Sequence, residues 1–130
     1  MDETISHSLL QSAWSARRHA RVRGNRRVGA AVLSKNGAIF IGCNIQQKFH
    51  TCDLHAEVTA IAAMLSAGHM ALDAIAIVSD HEGIPPCGAC RDWIVEFGGD
   101  TCWVIWEGEN VGSTHTWQAS ELLPFHPPYN

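Results

Sequence analysis

Along the first part of the chain, Ile5, Leu9, Ala13, Ala16 and Ala20 recur at the spacing of one helical face, with Leu10 and Trp14 flanking the stripe. This predicts a helix over residues 5–22, ended by Gly24-Asn25. The pattern then changes to short apolar runs at 28–33 and 38–43, joined by Ser34-Lys35-Asn36-Gly37. An Asn-Gly pair between two such runs is a hairpin signal, so these are expected to be antiparallel strands. Residues 44–54 are polar and without period, and they lead into a segment that is apolar over most of a helical surface, from His55 to a stop at Gly68. A helix of that kind is expected to be buried against a sheet.

The continuous apolar run at 74–78 reads as a central strand buried on both faces. A second helix is expected over 87–97, broken by Gly98-Gly99, then a fourth strand over 102–106 and a weaker fifth over 111–116. Helices alternating with strands after an opening hairpin predict a three-layer α/β/α domain around a central mixed sheet of about five strands. The whole of 1–130 reads as a single domain, with no repeat, linker or low-complexity segment.

Composition narrows the class. The hydrophobic share of 46% is enough for a packed core. No apolar run approaches the roughly 20 residues that cross a bilayer, and Met1-Asp2-Glu3-Thr4 lacks the basic start of a signal peptide. The expected location is the cytoplasm, where free thiols persist. The net charge of −4 argues against a general nucleic-acid binder. The basic residues are nevertheless concentrated: Arg17, Arg18, Arg21, Arg23, Arg26 and Arg27 lie in one short stretch. That stretch reads either as a solvated face meeting an acidic patch of another subunit or as an anion site for substrate or RNA.

The chemistry is carried by His55-Ala56-Glu57 and Pro86-Cys87-Gly88-Ala89-Cys90. One imidazole and two thiolates make a three-ligand zinc set that keeps a fourth position open, whereas a structural zinc has four protein ligands. The Cys87-x-x-Cys90 spacing puts both sulfurs on the first turn of a helix, where backbone N–H groups favour negative charge. Glu57, two residues from the imidazole, is placed to move protons rather than to ligate. Of the other cysteines, Cys43 and Cys102 read as plain thiols, and Cys52, three residues before His55, as a bystander with a ligand role as its alternative. His50 and His81 sit in loops expected to border the site.

His-x-Glu followed by Pro-Cys-x-x-Cys is an established signature of zinc deaminases. With Val28-Gly29-Ala30-Ala31, Gly42-Cys43-Asn44-Ile45 and Glu121-Leu122-Leu123-Pro124 in the same order, the chain resembles the cytidine deaminase family, including its blasticidin S deaminase relatives. The resemblance implies one zinc per chain, held by His55, Cys87 and Cys90, with Glu57 taking a proton from water and passing protons to the ring nitrogen and the departing ammonia. It implies substrate contacts from Asn44, Gln46, Ala56, Arg26 and Phe125. Arg91 and Pro86 are implied to support the ligands, Arg91 by donating to a thiolate. The substrate implied is a small cytosine-type nucleoside. The assembly implied is a homo-oligomer, a tetramer before a dimer, with Phe125, ahead of Tyr129, closing over a neighbour's site.

Two positions depart from the family pattern. Gln46 stands where nucleoside-acting members carry a glutamate for the ribose hydroxyls, and Arg26 where they carry a phenylalanine. The sequence is read as a zinc-dependent hydrolytic deaminase of a cytosine-type nucleoside, with a blasticidin S-type antibiotic as the alternative substrate. Editing of nucleic acid and a non-catalytic zinc domain of the same fold are the remaining alternatives.

Overall fold

The computed structural model describes residues 1–127. Helix α1 (Glu3–Arg17) begins where Asp2 Oδ1 accepts the N–H groups of Thr4 at 2.8 Å and Ile5 at 3.3 Å, satisfying donors that a helix start leaves open. It stops at Arg17 rather than running on to residue 22. The reason is tertiary. Arg21 donates its N–H to the Asn44 carbonyl at 3.0 Å and accepts from the Gln46 N–H at 2.7 Å. A residue bonded in this extended manner cannot also be helical, so the chain leaves the helix first, although Ala20 is still buried.

Strands β1 (Gly29–Ser34) and β2 (Ile39–Cys43) form the expected antiparallel hairpin, closed by Gly37 at a φ of 89°. Strand β3 (Leu72–Val78) pairs antiparallel with β1 and parallel with β4 (Trp103–Glu107), and β5 (His115–Gln118) lies antiparallel on the far edge of β4. The five-stranded mixed sheet has the order β2-β1-β3-β4-β5. β5 begins later than the expected 111–116. Ser113 Oγ accepts the Gly108 N–H at 3.0 Å and donates to the Asn110 carbonyl at 2.6 Å. That loop takes up residues through 114, and pairing starts with His115 opposite Trp106.

Helices α2 (Ala56–Ser66) and α3 (Gly88–Gly98) lie within a residue or so of their predicted bounds, and a short α4 (Ala119–Leu122) follows β5. After α2, the Gly68 N–H donates to the Leu65 carbonyl and the His69 N–H to the Met64 carbonyl, with Gly68 at a φ of 90°. These are the paired bonds of a glycine-terminated helix.

The layers follow from strand alternation. Ala31, Ala74, Ala76, Val78 and Ile105 face α1, where they meet Leu9, Leu10 and Ala13. Ala30, Val32, Ile75, Ile77, Val104 and Trp106 face the other way, against Ala60, Ile61 and Met64 of α2 and Ile94 and Val95 of α3. Both faces of β1, β3 and β4 are covered, which is why their apolar runs are continuous rather than alternating. Gly29 pairs with both Cys43 and Val78, so β2 and β3 end at the same edge of the sheet. Their onward connections therefore deliver the N-termini of α2 and α3 to one place. Among the described residues, no helix is long and apolar enough to cross a membrane.

Candidate active site

His55 occupies the N-cap position of α2 and Cys87 that of α3, while Cys90 is the third residue of α3. His55 Nδ1 lies 3.2 Å from Cys90 Sγ and 3.4 Å from Cys87 Sγ. The three ligand atoms all fall within 4.8 Å of one another, the only such group of His, Cys, Asp or Glu among the described residues. Tetrahedral zinc with ordinary Zn–S and Zn–N bonds sets sulfur and nitrogen about 3.5 Å apart, so the donor set fits that ion.

Burial pushes the Cys90 thiol well above the usual range, and the charge of neighbouring Glu57 adds to this. Ionising that sulfur without a cation is costly; a dication at the centre of the three donors reverses the balance. Glu57 is 6% exposed. Desolvation raises its carboxyl above the ordinary value, against smaller opposing effects from the backbone, Cys90 and His55. A carboxyl whose proton affinity is raised by burial is suited to holding a proton and passing it on.

A pocket of about 240 Å³ opens on this group. Of the residues predicted from sequence, Arg26, Asn44, Gln46, Ala56, Glu57, His55 and Cys87 line it. Asn44 is also structural: its Oδ1 accepts the Val28 N–H at 2.9 Å and its Nδ2 donates to the Arg26 carbonyl at 3.0 Å. It thereby pins the segment that carries Arg26. Gln46 Oε1 accepts the Arg23 N–H at 2.6 Å.

Val28, Asp53, Leu54, Ile84 and Pro85 complete the lining, Asp53 and Leu54 coming from the polar segment that precedes His55. Asp53 accepts the Gln47 N–H at 2.8 Å and meets His50 Nδ1 at 2.6 Å; the backbone bond first, then the imidazole, hold its carboxyl below the usual range. Nothing in the local sequence marks Asp53. The apolar Ile84-Pro85-Pro86 run before Cys87 was the available signal for the opposite wall.

His50 and His81 sit in turns outside the pocket lining, with positive φ at 54° and 52°, and His50 meets the lining residue Asp53. Arg91 donates to carbonyls instead of a thiolate, through Nε to Pro86 at 2.7 Å and a terminal nitrogen to Leu122 at 2.9 Å. It ties the loop before Cys87 to α4. Pro86 is fully buried. Cys52 is exposed and outside the metal group. Burial pushes the Cys102 thiol up to about 12, in keeping with an inert core residue. Phe125 is 100% exposed at a φ of 61° and does not reach this chain's pocket, and Tyr129 lies outside the described residues.

The arginine cluster divides. Arg17 pairs with Asp80, lies 3.7 Å from Glu109 and donates Nε to the Arg27 carbonyl. Arg27 in turn donates to the Ala20 carbonyl.

Residues 3–106 match the family described as "Cytidine and deoxycytidylate deaminase zinc-binding region". A cytidine deaminase of Halalkalibacterium halodurans is 38% identical over 119 residues, covering 89% of this chain and 89% of that protein. The crystal structure of cytidine deaminase from Burkholderia pseudomallei superposes with a TM-score of 0.86 at 35% identity, over 96% of this chain and 98% of that one. A blasticidin-S deaminase of Bacillus cereus is 32% identical over 108 residues, 75% of this chain and 74% of that protein. The family match spans most of the chain and the fold agrees with that of a solved cytidine deaminase, so the chain belongs to the cytidine and deoxycytidylate deaminase family, as a hydrolytic deaminase.

Proposed function

We propose that this chain is a zinc-dependent deaminase of cytosine-type nucleosides, either cytidine and deoxycytidine or a modified cytosine nucleoside, yielding the uracil form and ammonia. The observation that supports this most directly is the gathering of His55, Cys87 and Cys90 around one point, with buried Glu57 beside them on the wall of a pocket. His55 Nδ1 and the sulfurs of Cys87 and Cys90 would hold one zinc, whose chemistry when bound is Lewis acidity toward a water molecule.

Glu57 is free of ligand duty in this arrangement and acts as the proton carrier. It accepts a proton as the water oxygen bonds to the amine-bearing ring carbon, and delivers it to the adjacent ring nitrogen. The second proton of the water goes by way of Glu57 to the amine as the carbon–nitrogen bond breaks. Ammonia leaves, a carbonyl remains, and the one water accounts for every atom. Arg26 and Gln46 on the pocket wall decide which nucleoside is taken. The similarity to a blasticidin-S deaminase supports a modified nucleoside as the second reading within the same chemistry.

The reading includes a homo-oligomer, a tetramer ahead of a dimer. Exposed Ile39 and Ile41 on β2, with Phe125, support an apolar contact surface.

The test is ammonia release from zinc-loaded protein offered cytidine, deoxycytidine, a cytosine-nucleoside antibiotic and short single-stranded oligonucleotides. Glu57→Ala is expected to keep its fold and its zinc while turnover falls by about 10⁴-fold, the upper end of general acid–base effects. Near-wild-type turnover in that zinc-loaded variant would sink the mechanism.

A further inference from the structure

Proton transfer occupies Glu57 and leaves the pocket's other carboxylate without a task. Among the described residues that line the pocket, Asp53 is the one acid besides Glu57. Its side chain is 26% exposed and is held in place, with Oδ1 accepting the Gln47 N–H and Oδ2 against His50 Nδ1. That imidazole is its one ion-pair contact among the described residues; no lysine or arginine answers it. Much of the wall around it is apolar, from Val28, Leu54, Ile84 and Pro85.

A cytosine nucleoside brings hydrogen-bond donors into this pocket: the ring amine, which must lie at Glu57, and the hydroxyls of its sugar. A hydroxyl that leaves water without finding an acceptor weakens binding. The amide oxygens of the pocket are already engaged. Asn44 Oδ1 accepts the Val28 N–H and Gln46 Oε1 the Arg23 N–H, so these side chains have N–H groups to offer a ligand. Of the roughly four lone-pair sites of a carboxylate, the Gln47 and His50 contacts take one on each oxygen of Asp53, and the others are open to a ligand. Asp53 lies two residues before His55, on the extended stretch where Leu54 bridges to Ile45, so the two side chains share a side. Two extended residues span about 7 Å, the reach from a ring held at the metal ligands to the sugar beyond it.

We propose that Asp53 is a specificity-determining residue: its carboxylate accepts a hydrogen bond from a hydroxyl of the substrate's sugar, and so joins Arg26 and Gln46 in deciding which nucleoside is taken. A charge-assisted bond of this kind is stronger than one to an amide oxygen. The inference rests on the deaminase reading of the pocket and adds a residue to it.

Dissociation constants are measured for zinc-loaded Glu57→Ala protein with cytidine and its 2′-deoxy, 3′-deoxy and 5′-deoxy analogues, with and without Asp53→Asn. At least one analogue should bind about tenfold more weakly than cytidine, and it identifies the hydroxyl. Asp53→Asn should weaken cytidine by a similar factor yet leave that analogue nearly unchanged, since two perturbations of one contact do not add. A purely structural Asp53 would instead weaken every ligand alike. Asp53→Glu, which keeps the charge, should recover part of the cytidine affinity. With Glu57 intact, the same pattern should appear in kcat/KM. Equal binding of all four ligands overturns the proposal, and that comparison needs no Asp53 variant to fold. A uniform loss across the four in Asp53→Asn overturns it as well. If protein with Glu57 intact releases no ammonia from cytidine while the non-additive pattern persists in binding, the deaminase reading falls and the Asp53 contact stands.

Discussion

Gly42→Ala tests whether the site is held by close backbone packing. Gly42 sits on β2 opposite Ala30, beneath α2. A Cβ there would lie 2.4 Å from the Ala60 nitrogen, 2.8 Å from Thr59 Cβ and 2.9 Å from the Ala56 carbonyl oxygen, where ordinary contact begins at 3.4 Å. The helix must therefore withdraw by about 1 Å at its nearest point, and the obstacle is backbone, which cannot rotate away. Ala60, Ile61 and Met64 are fully buried, so this shift disturbs a packed layer. Overpacking typically costs about 1–3 kcal/mol, and a backbone clash belongs at the upper end. For a domain of this length that lowers Tm by about 10 °C. Ala56 is also the first residue of α2, next to His55 and Glu57. A displacement near 1 Å at that end costs on the order of 10²-fold in turnover and weakens zinc retention. The assays are thermal unfolding, zinc content and ammonia release, with Gly88→Ala as the control, since a Cβ at Gly88 meets nothing within 4 Å. A Gly42→Ala protein melting within a degree or two of wild type, with zinc and turnover intact, would refute the reasoning.

Cys87→Ala should lose zinc while an exposed-thiol change, Cys52→Ala, keeps it, as elemental analysis would show. Because burial raises the Cys90 thiol, metal binding must expel its proton. Zinc affinity in chelator competition should therefore rise with pH, by about tenfold per unit for each proton released, and a flat profile would contradict this. Asp92 raises the pKa of His126 through a 2.7 Å contact. That contact stabilises fully below the unfolded histidine value of about 6.5 and fades as pH rises through the higher folded value. The Tm gap between wild type and Asp92→Asn should therefore be wider at acid pH than at alkaline pH. Sedimentation at micromolar concentration should report an oligomer; a monomer would leave exposed Ile39, Ile41 and Phe125 without a covering partner.

From sequence alone, the α/β layering and the metal set were legible, for a shared reason: both rest on short-range pattern. Continuous apolar runs marked strands covered on both faces. The Asn36-Gly37 turn marked the hairpin, and His55-x-Glu57 with Cys87-x-x-Cys90 each compress their chemistry into one helical turn. Which side chains would meet across the fold was not written locally. α1 ends at Arg17 because Arg21 bonds to Asn44 and Gln46, more than twenty residues away. Arg91 goes to the Pro86 and Leu122 carbonyls, and Asp53 enters the pocket wall on a turn held by Gln47 and His50. The arginine stretch reads as one cluster, yet the fold assigns Arg17 and Arg27 to holding backbone and acids and leaves Arg21, Arg23 and Arg26 on the rim of the site. Charge and donor count belong to a residue, but partners belong to the tertiary structure, since long-range hydrogen bonds alone bring distant segments within 3 Å of each other.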